Sequence, residues 1–241
     1  MNQQHGTPSI VNRTGYIAVV LLLVLPLSVV VVRSGAWQSG LLLYAVASVG
    51  SVLLLILSII LLLLPRFAPW RKGIALRLLP ALPGTVLLFS LIAGGRDTPP
   101  IHDITTDTSD PPLFAMAAQQ RGEAANSLAI DLHAIEQQQH AYPDLKTLVS
   151  PLSVDDAYGR AVQVATKLGW EIYHQDRSNG VIEAVDSTRI MGFKDDVVIR
   201  IRSSDHGSLL DLRSVSRVGG GDIGANAKRI RAFREAFQQP G

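Results

Sequence analysis

At 241 residues the chain is long enough for a membrane anchor and one globular unit, but short for two large soluble domains. Its formal net charge of +2 conceals a division: all 20 Asp and Glu residues follow Arg96, while the first 96 residues hold seven basic side chains and no acid. With no cysteine, a disulfide framework, a thiolate nucleophile and Cys-based zinc or iron–sulfur centres are excluded. The high pI is partly an anchor property and gives no ground for a nucleic-acid partner.

The carboxylate-free stretch holds three apolar runs, expected as transmembrane helices at about residues 16–32, 41–64 and 78–93. The connector 65–77 carries Arg66, Arg71, Lys72 and Arg77 with no acid, which places it on the cytoplasmic side by the positive-inside rule. The N-terminus is then cytoplasmic and everything after Arg96 extracytoplasmic, periplasmic where an outer membrane exists. Ser34-Gly35-Ala36 offers small residues for cleavage of a signal peptide, an alternative that leaves the final domain on the same side.

Residues 97–112, with four prolines and four aspartates and no apolar period, are expected as an extended linker. The soluble domain follows at 113–241. Residues 114–139 are helix-compatible, broken at Gly122. A helix at 154–168 has Ser153 as its cap, Asp155 and Asp156 at its positive end, and Gly169 beyond it. Alternating patterns then predict strands at 170–173, 181–185, 197–202 and 209–217, with turn residues between them. Gly219-Gly220-Gly221 leads to a last helix with Asp222 as N-cap and Ile223, Ala227, Ile230, Phe233 and Phe237 as its apolar stripe. The expected fold is a membrane-anchored α+β protein: three transmembrane helices, then a soluble domain whose four-stranded antiparallel meander sheet is covered on one face by helices.

Three long motifs carry a resemblance: Gly192-Phe193-Lys194-Asp195-Asp196-Val197-Val198-Ile199-Arg200, Asp211 through Gly219, and Asp222 through Phe233. With Glu183-Ala184 and the opening residues Pro99 through Ile104 and Asp110 through Pro112, they make residues 99–237 resemble the bacterial family called domain of unknown function 1499. The resemblance implies a domain boundary and no chemistry.

Period-two alternation puts Val197, Ile199, Ile201, Leu210 and Leu212 on the buried face, with Arg200 opposite Asp211. Arg200, Arg202, Arg213 and Arg217 then share the other face. That face is either a solvated, partly ion-paired surface or, with Lys228, a binding surface for an anionic lipid headgroup, glycan or envelope protein. The glycine turn at 219–221 is either a plain turn or a phosphate cradle. It lacks the Lys-Ser/Thr ending of a nucleotide loop, so no nucleotide is expected. His133, Glu136 and His140 could align on a helix, and His102, Asp103, Asp107 and Asp110 could approach a cation. The first set faces water, away from the apolar stripe, and the second lacks an EF-hand's glycine and terminal glutamate, so neither a metal nor another cofactor is expected. These features favour a membrane-tethered interaction module of the cell envelope. An envelope hydrolase with a site at Asp195, Asp196 and Arg217 is the alternative, although strand neighbours point to opposite faces.

Overall fold

The computed structural model describes residues 6–239, and the chain forms two compact units that part between Arg96 and Asp97. The first unit contains α1 (Ser9–Arg33), α2 (Trp37–Leu63), a 3-10 turn (Pro65–Trp70), α3 (Arg71–Leu78), a second 3-10 turn (Leu79–Ala81) and α4 (Leu82–Gly95). Three helical runs, Ser9–Arg33, Trp37–Leu63 and Pro65–Gly95, are long and apolar enough to cross a membrane. The basic segment 65–77 is therefore helical rather than a loop. Pro65 does not prevent this, because it opens the 3-10 turn at a position where no N–H donor is required, while Pro69 lies inside that turn, just before α3.

Four polar side chains inside these helices bond to their own helix, whereas the buried Ser48 hydroxyl of α2 has no hydrogen-bond partner among the described residues. The hydroxyls of Thr14, Ser28, Ser51 and Thr85 donate to carbonyls three or four residues earlier at 2.6–3.0 Å, which removes most of their cost in apolar surroundings. Close approach of the helices relies on small residues. A Cβ added at Gly84 would lie 2.8 Å from that of Ser51.

The second unit is built on one antiparallel sheet. Its strands are β1 (Asp103–Thr105), β2 (Leu148–Ser150), β3 (Glu171–Asp176), β4 (Val181–Ser187), β5 (Lys194–Ser204) and β6 (Gly207–Ser216), interspersed with helices α5 (Ala117–Gln120), α6 (Leu132–Ala141), α7 (Val154–Lys167) and α8 (Ala225–Gln238). The expected meander β3-β4-β5-β6 is present. The sheet nevertheless has six strands, because β1 and β2 both pair with the free edge of β6. Residues 97–112 are thus no free linker: their middle is an edge strand of the domain.

The β5–β6 register is the one that alternation dictates, with Arg200 opposite Asp211 and Ile199 opposite Leu212. Ile182, Ala184, Val197, Ile199, Ile201, Leu210 and Leu212 form a buried face against α7 and α8. Trp170, Phe233 and Phe237 stack over it at centroid spacings of 5.5 and 5.9 Å. Helix α7 starts where expected, with the Ser153 hydroxyl accepting from the Asp156 N–H at 3.1 Å, and ends before Gly169 at φ +84°.

Helix α8 begins at Ala225, later than its apolar stripe suggests. Gly224, at φ +75°, is the N-cap, and the Asp222 carboxylate reaches forward to the N–H groups of Gly224 and Asn226 at 2.8 and 2.7 Å. The helix-compatible run 114–139 resolves into the single turn of α5 and the later α6, whose cap is Asp131.

Candidate functional site

The face of the sheet opposite α7 and α8 is where the sequence places four arginines, and Arg200, Arg202, Arg213 and Arg217 do lie on it together. They do not form an open basic surface. The chain from β1 to residue 131 lies across this face and brings its own acids. Arg213, only 1% exposed, makes a two-pronged pair with Asp103 at 2.9 and 2.6 Å and donates to the Leu128 carbonyl at 2.9 Å. Arg200 pairs with Asp107, Asp110 and Asp211 at 3.1, 2.8 and 3.1 Å, and Arg202 with Asp107 and Asp211 at 3.1 and 2.6 Å. Asp211, fully buried, also accepts from the Thr147 hydroxyl at 2.6 Å.

At the other end of the same face Asp196 is wholly enclosed. It receives Arg217 at 3.0 and 2.7 Å and lies 3.1 Å from Nε of Arg121. Burial lowers the Arg121 pKa, with Asp196 opposing the shift, and burial raises that of the neighbouring Tyr173 phenol. Glu183 completes the layer. It is fully buried in β4, and its carboxylate accepts the N–H groups of Ala115, Met116 and Ala117 at 2.5–3.1 Å, fixing the turn that enters α5.

Five guanidinium groups therefore meet six carboxylates in this layer. The excess of positive charge expected from the sheet alone disappears, because Asp103, Asp107 and Asp110 come from the lead-in. Those aspartates are occupied by arginines, and among the described residues no cluster of His, Asp or Glu could hold a metal ion. His133 and Glu136 stand exposed on α6, 3.9 Å apart.

Asp195 and Asp196 are sequence neighbours with separate roles. Asp195 faces the helices, where Arg229 of α8 donates to it at 2.5 Å while also reaching Asp186 at 2.7 Å. Asn226 sits beside them, receiving the Ser214 hydroxyl at 2.7 Å and donating to the His102 carbonyl at 3.0 Å. The three groups of the hydrolase alternative are thus divided, with Asp195 on one face and Asp196 and Arg217 on the other. Lys228 stands apart from all four sheet arginines, exposed in the first turn of α8.

Open grooves lie at both ends of the sheet, one of about 360 Å³ beside β2 and the end of α8 and another where β4 turns into β5. There the β4–β5 loop, residues 188–193, is held by the Thr188 N–H donating to the Phe193 carbonyl at 2.8 Å and the Phe193 N–H donating to the Thr188 hydroxyl at 2.9 Å. Gly192, at φ +73°, allows the tight return. Beside it runs an open groove of about 450 Å³ lined by Gly169, Trp170, Asp186, Thr188, Arg189 and Arg229. The incoming chain is clamped at the same end. The Asp222 N–H donates to the Ile101 carbonyl at 3.2 Å and the Ser216 N–H to the His102 carbonyl at 2.9 Å. Gly221 and Gly224 let it pass closely, since added Cβ atoms would sit 3.3 Å from Pro100 and from Thr98.

Sequence reasoning had no strong signal for Glu183, Asp103, Asp107 or Asp110 as counter-charges. A glutamate centred in the otherwise apolar run Val181–Val185 was the one available hint. A search of curated proteins returns no match to the chain. The model of DUF1499, described as a protein of unknown function, matches residues 103–237, from the first residue of β1 to the last turn of α8, and the chain belongs to that family.

Proposed function

We propose that the protein is a membrane-tethered, extracytoplasmic binding module of the cell envelope. Its sheet domain serves as a rigid scaffold, and its contacts are made at the end where the tether enters. The observation that carries this reading is the destination of the charged groups. Arg200, Arg213, Arg217, Asp195 and Asp196 are consumed in enclosed pairs that fix the covering segment to the sheet and α8 to its other face. Groups held this way rigidify a fold, and their positions are set by each other rather than by a substrate. The surface at the tether end, with its open groove beside the β4–β5 loop, is then offered to a partner.

Sidedness rests on the distribution of charge. The anchor has no carboxylate, and its basic residues concentrate between the second and third apolar runs. The absence of cysteine makes the test clean. An Asp205→Cys variant, at the exposed β5–β6 turn, is expected to react with a membrane-impermeant maleimide in intact spheroplasts. Reaction only after permeabilisation would place the domain in the cytoplasm and overturn the reading.

A further inference from the structure

The first 96 residues carry no carboxylate, so Arg77 of α3 has no counter-charge within the membrane unit. It is nevertheless drawn into the helix packing. Its stem lies on Gly15 of α1, where an added Cβ would come within 2.9–3.1 Å of the Arg77 Cβ, Cγ and Cδ. Among the described residues its guanidinium meets only neutral acceptors: Nη1 donates to the Gly73 carbonyl and Nη2 to the Asn12 side-chain oxygen, each at 3.1 Å. Those bonds leave its positive charge unanswered and further N–H donors of the fork for a ligand.

The surroundings of Arg77 are shaped for one kind of ligand. An open groove of about 270 Å³ runs between Asn12, Tyr16 and Val19 of α1 and Leu76, Arg77 and Pro80 of the run Pro65–Gly95. Asn12, Tyr16 and Val19 recur at helical spacing and so share one face of α1. The groove changes character along its length. Asn12 and Arg77 make one end polar, while Val19 and Pro80, further along each run, make the other apolar.

Both polar residues stand just ahead of an apolar stretch, at 16–32 and 78–93. The two runs cross in the same direction, because α2 returns between them. Asn12 and Arg77 therefore share one boundary of the hydrocarbon, the level at which headgroup phosphates lie. A zwitterionic headgroup brings its own cation and answers less of the Arg77 charge than an anionic one.

We propose that this groove holds one anionic phospholipid, with its phosphodiester on the Arg77 guanidinium and the Asn12 amide and an acyl chain along Val19, Leu76 and Pro80. The lipid supplies the counter-charge that the unit lacks. The site belongs to the membrane unit alone and stands apart from the tethered-module reading and its sidedness.

The test is native mass spectrometry of the full chain in detergent, with added phosphatidylglycerol or phosphatidylcholine of the same acyl chains. One phosphatidylglycerol per chain is expected to survive collisional activation, at a several-fold lower lipid concentration than phosphatidylcholine requires. Arg77→Gln should lower its retention several-fold. Val19→Trp, which fills the apolar end and leaves the charge in place, should do the same. Arg13→Gln removes an exposed cation of α1 outside the groove and should leave retention unchanged. The proposal is overturned by equal retention of the two lipids, by unchanged retention in Val19→Trp, or by equal losses in Arg13→Gln and Arg77→Gln, which would mark diffuse attraction. Displacement of the lipid by glycerol 3-phosphate at matching concentration would overturn it too, as the mark of a site for free phosphate esters. Circular dichroism checks that the variants keep wild-type helicity; if Arg77→Gln does not, Val19→Trp decides alone. The maleimide experiment can fail without touching this result.

Discussion

At Asp196, Arg217 and Arg121 share one enclosed carboxylate, so removing its charge leaves two cations without a counter-charge in an enclosed layer. Asp196→Asn is expected to cost about 3–5 kcal/mol, the loss typical of a broken buried pair. Asp110→Asn, at the solvent edge of the same layer, is expected to cost about 1 kcal/mol or less. Urea titration of the detergent-solubilised chain separates the two; similar losses would show the layer to be wetter than its burial indicates. Asp176, the last residue of β3, is brought to about 2 by the Ser178 hydroxyl and then by the Asn179 side chain and N–H. Because its pKa is depressed, its contribution to stability is present above the usual carboxylate value and is lost as pH falls toward 2. An NMR titration should find Asp176 near 2 in the wild type and closer to 3.8 in Ser178→Ala. The alternating pattern of the strands told which face each arginine occupies. It also placed Arg200 beside Asp211, but it did not tell that Asp103, Asp107 and Asp110 join them, because those acids lie more than eighty residues away in the chain.

At the scale of elements, the pairing of β5 with β6 was readable to the residue, although both strands begin earlier than the expected 197 and 209. A slip of one position would have put Arg200 or Arg213 among Ile199, Leu212 and Ile230, so the buried face specified the pairing. Helix α7 was equally readable from its cap, its apolar stripe and its terminal glycine. The covering segment was not. Proline, aspartate and threonine without a period describe a solvated linker as well as an edge strand, and the partner of β1 is the last strand of the sheet. The same limit hid β2, a three-residue strand on the same edge. The β3–β4 turn gives a sharper check on the backbone. Gly180 has φ +66°, its carbonyl accepts the Ile201 N–H at 2.8 Å, and an added Cβ would run into the Ile201 carbonyl oxygen. Gly180→Ala should therefore cost about 1–3 kcal/mol, more than a left-handed position in open space such as Gly169. Equal losses for Gly180→Ala and Gly169→Ala would mean that β5 can move away from the turn.

At the scale of the whole molecule, the division after Arg96 and the role of residues 97–112 make opposite demands on two truncations. A chain beginning at Asp97 retains β1 and the acids at 103, 107 and 110, and should be soluble with a cooperative unfolding transition. A chain beginning at Leu113 strands Arg213 in the interior and leaves Arg200 and Arg202 with Asp211 alone. Circular dichroism should find it without a cooperative transition. Cooperative folding of the shorter chain would restore the linker reading of this segment. The pairing of β1 with β6 also sets an order of events during biogenesis. The first strand of the domain leaves the ribosome early and finds its hydrogen-bond partner only when a strand more than a hundred residues later has been made. No earlier strand can substitute, since β6 alone joins β1 and β2 to the rest of the sheet. Domains dominated by such non-local contacts fold slowly, and their unpaired strands stay exposed meanwhile. The acids of the lead-in then have a second use: before their arginines exist, they keep the waiting segment hydrated and out of premature pairings.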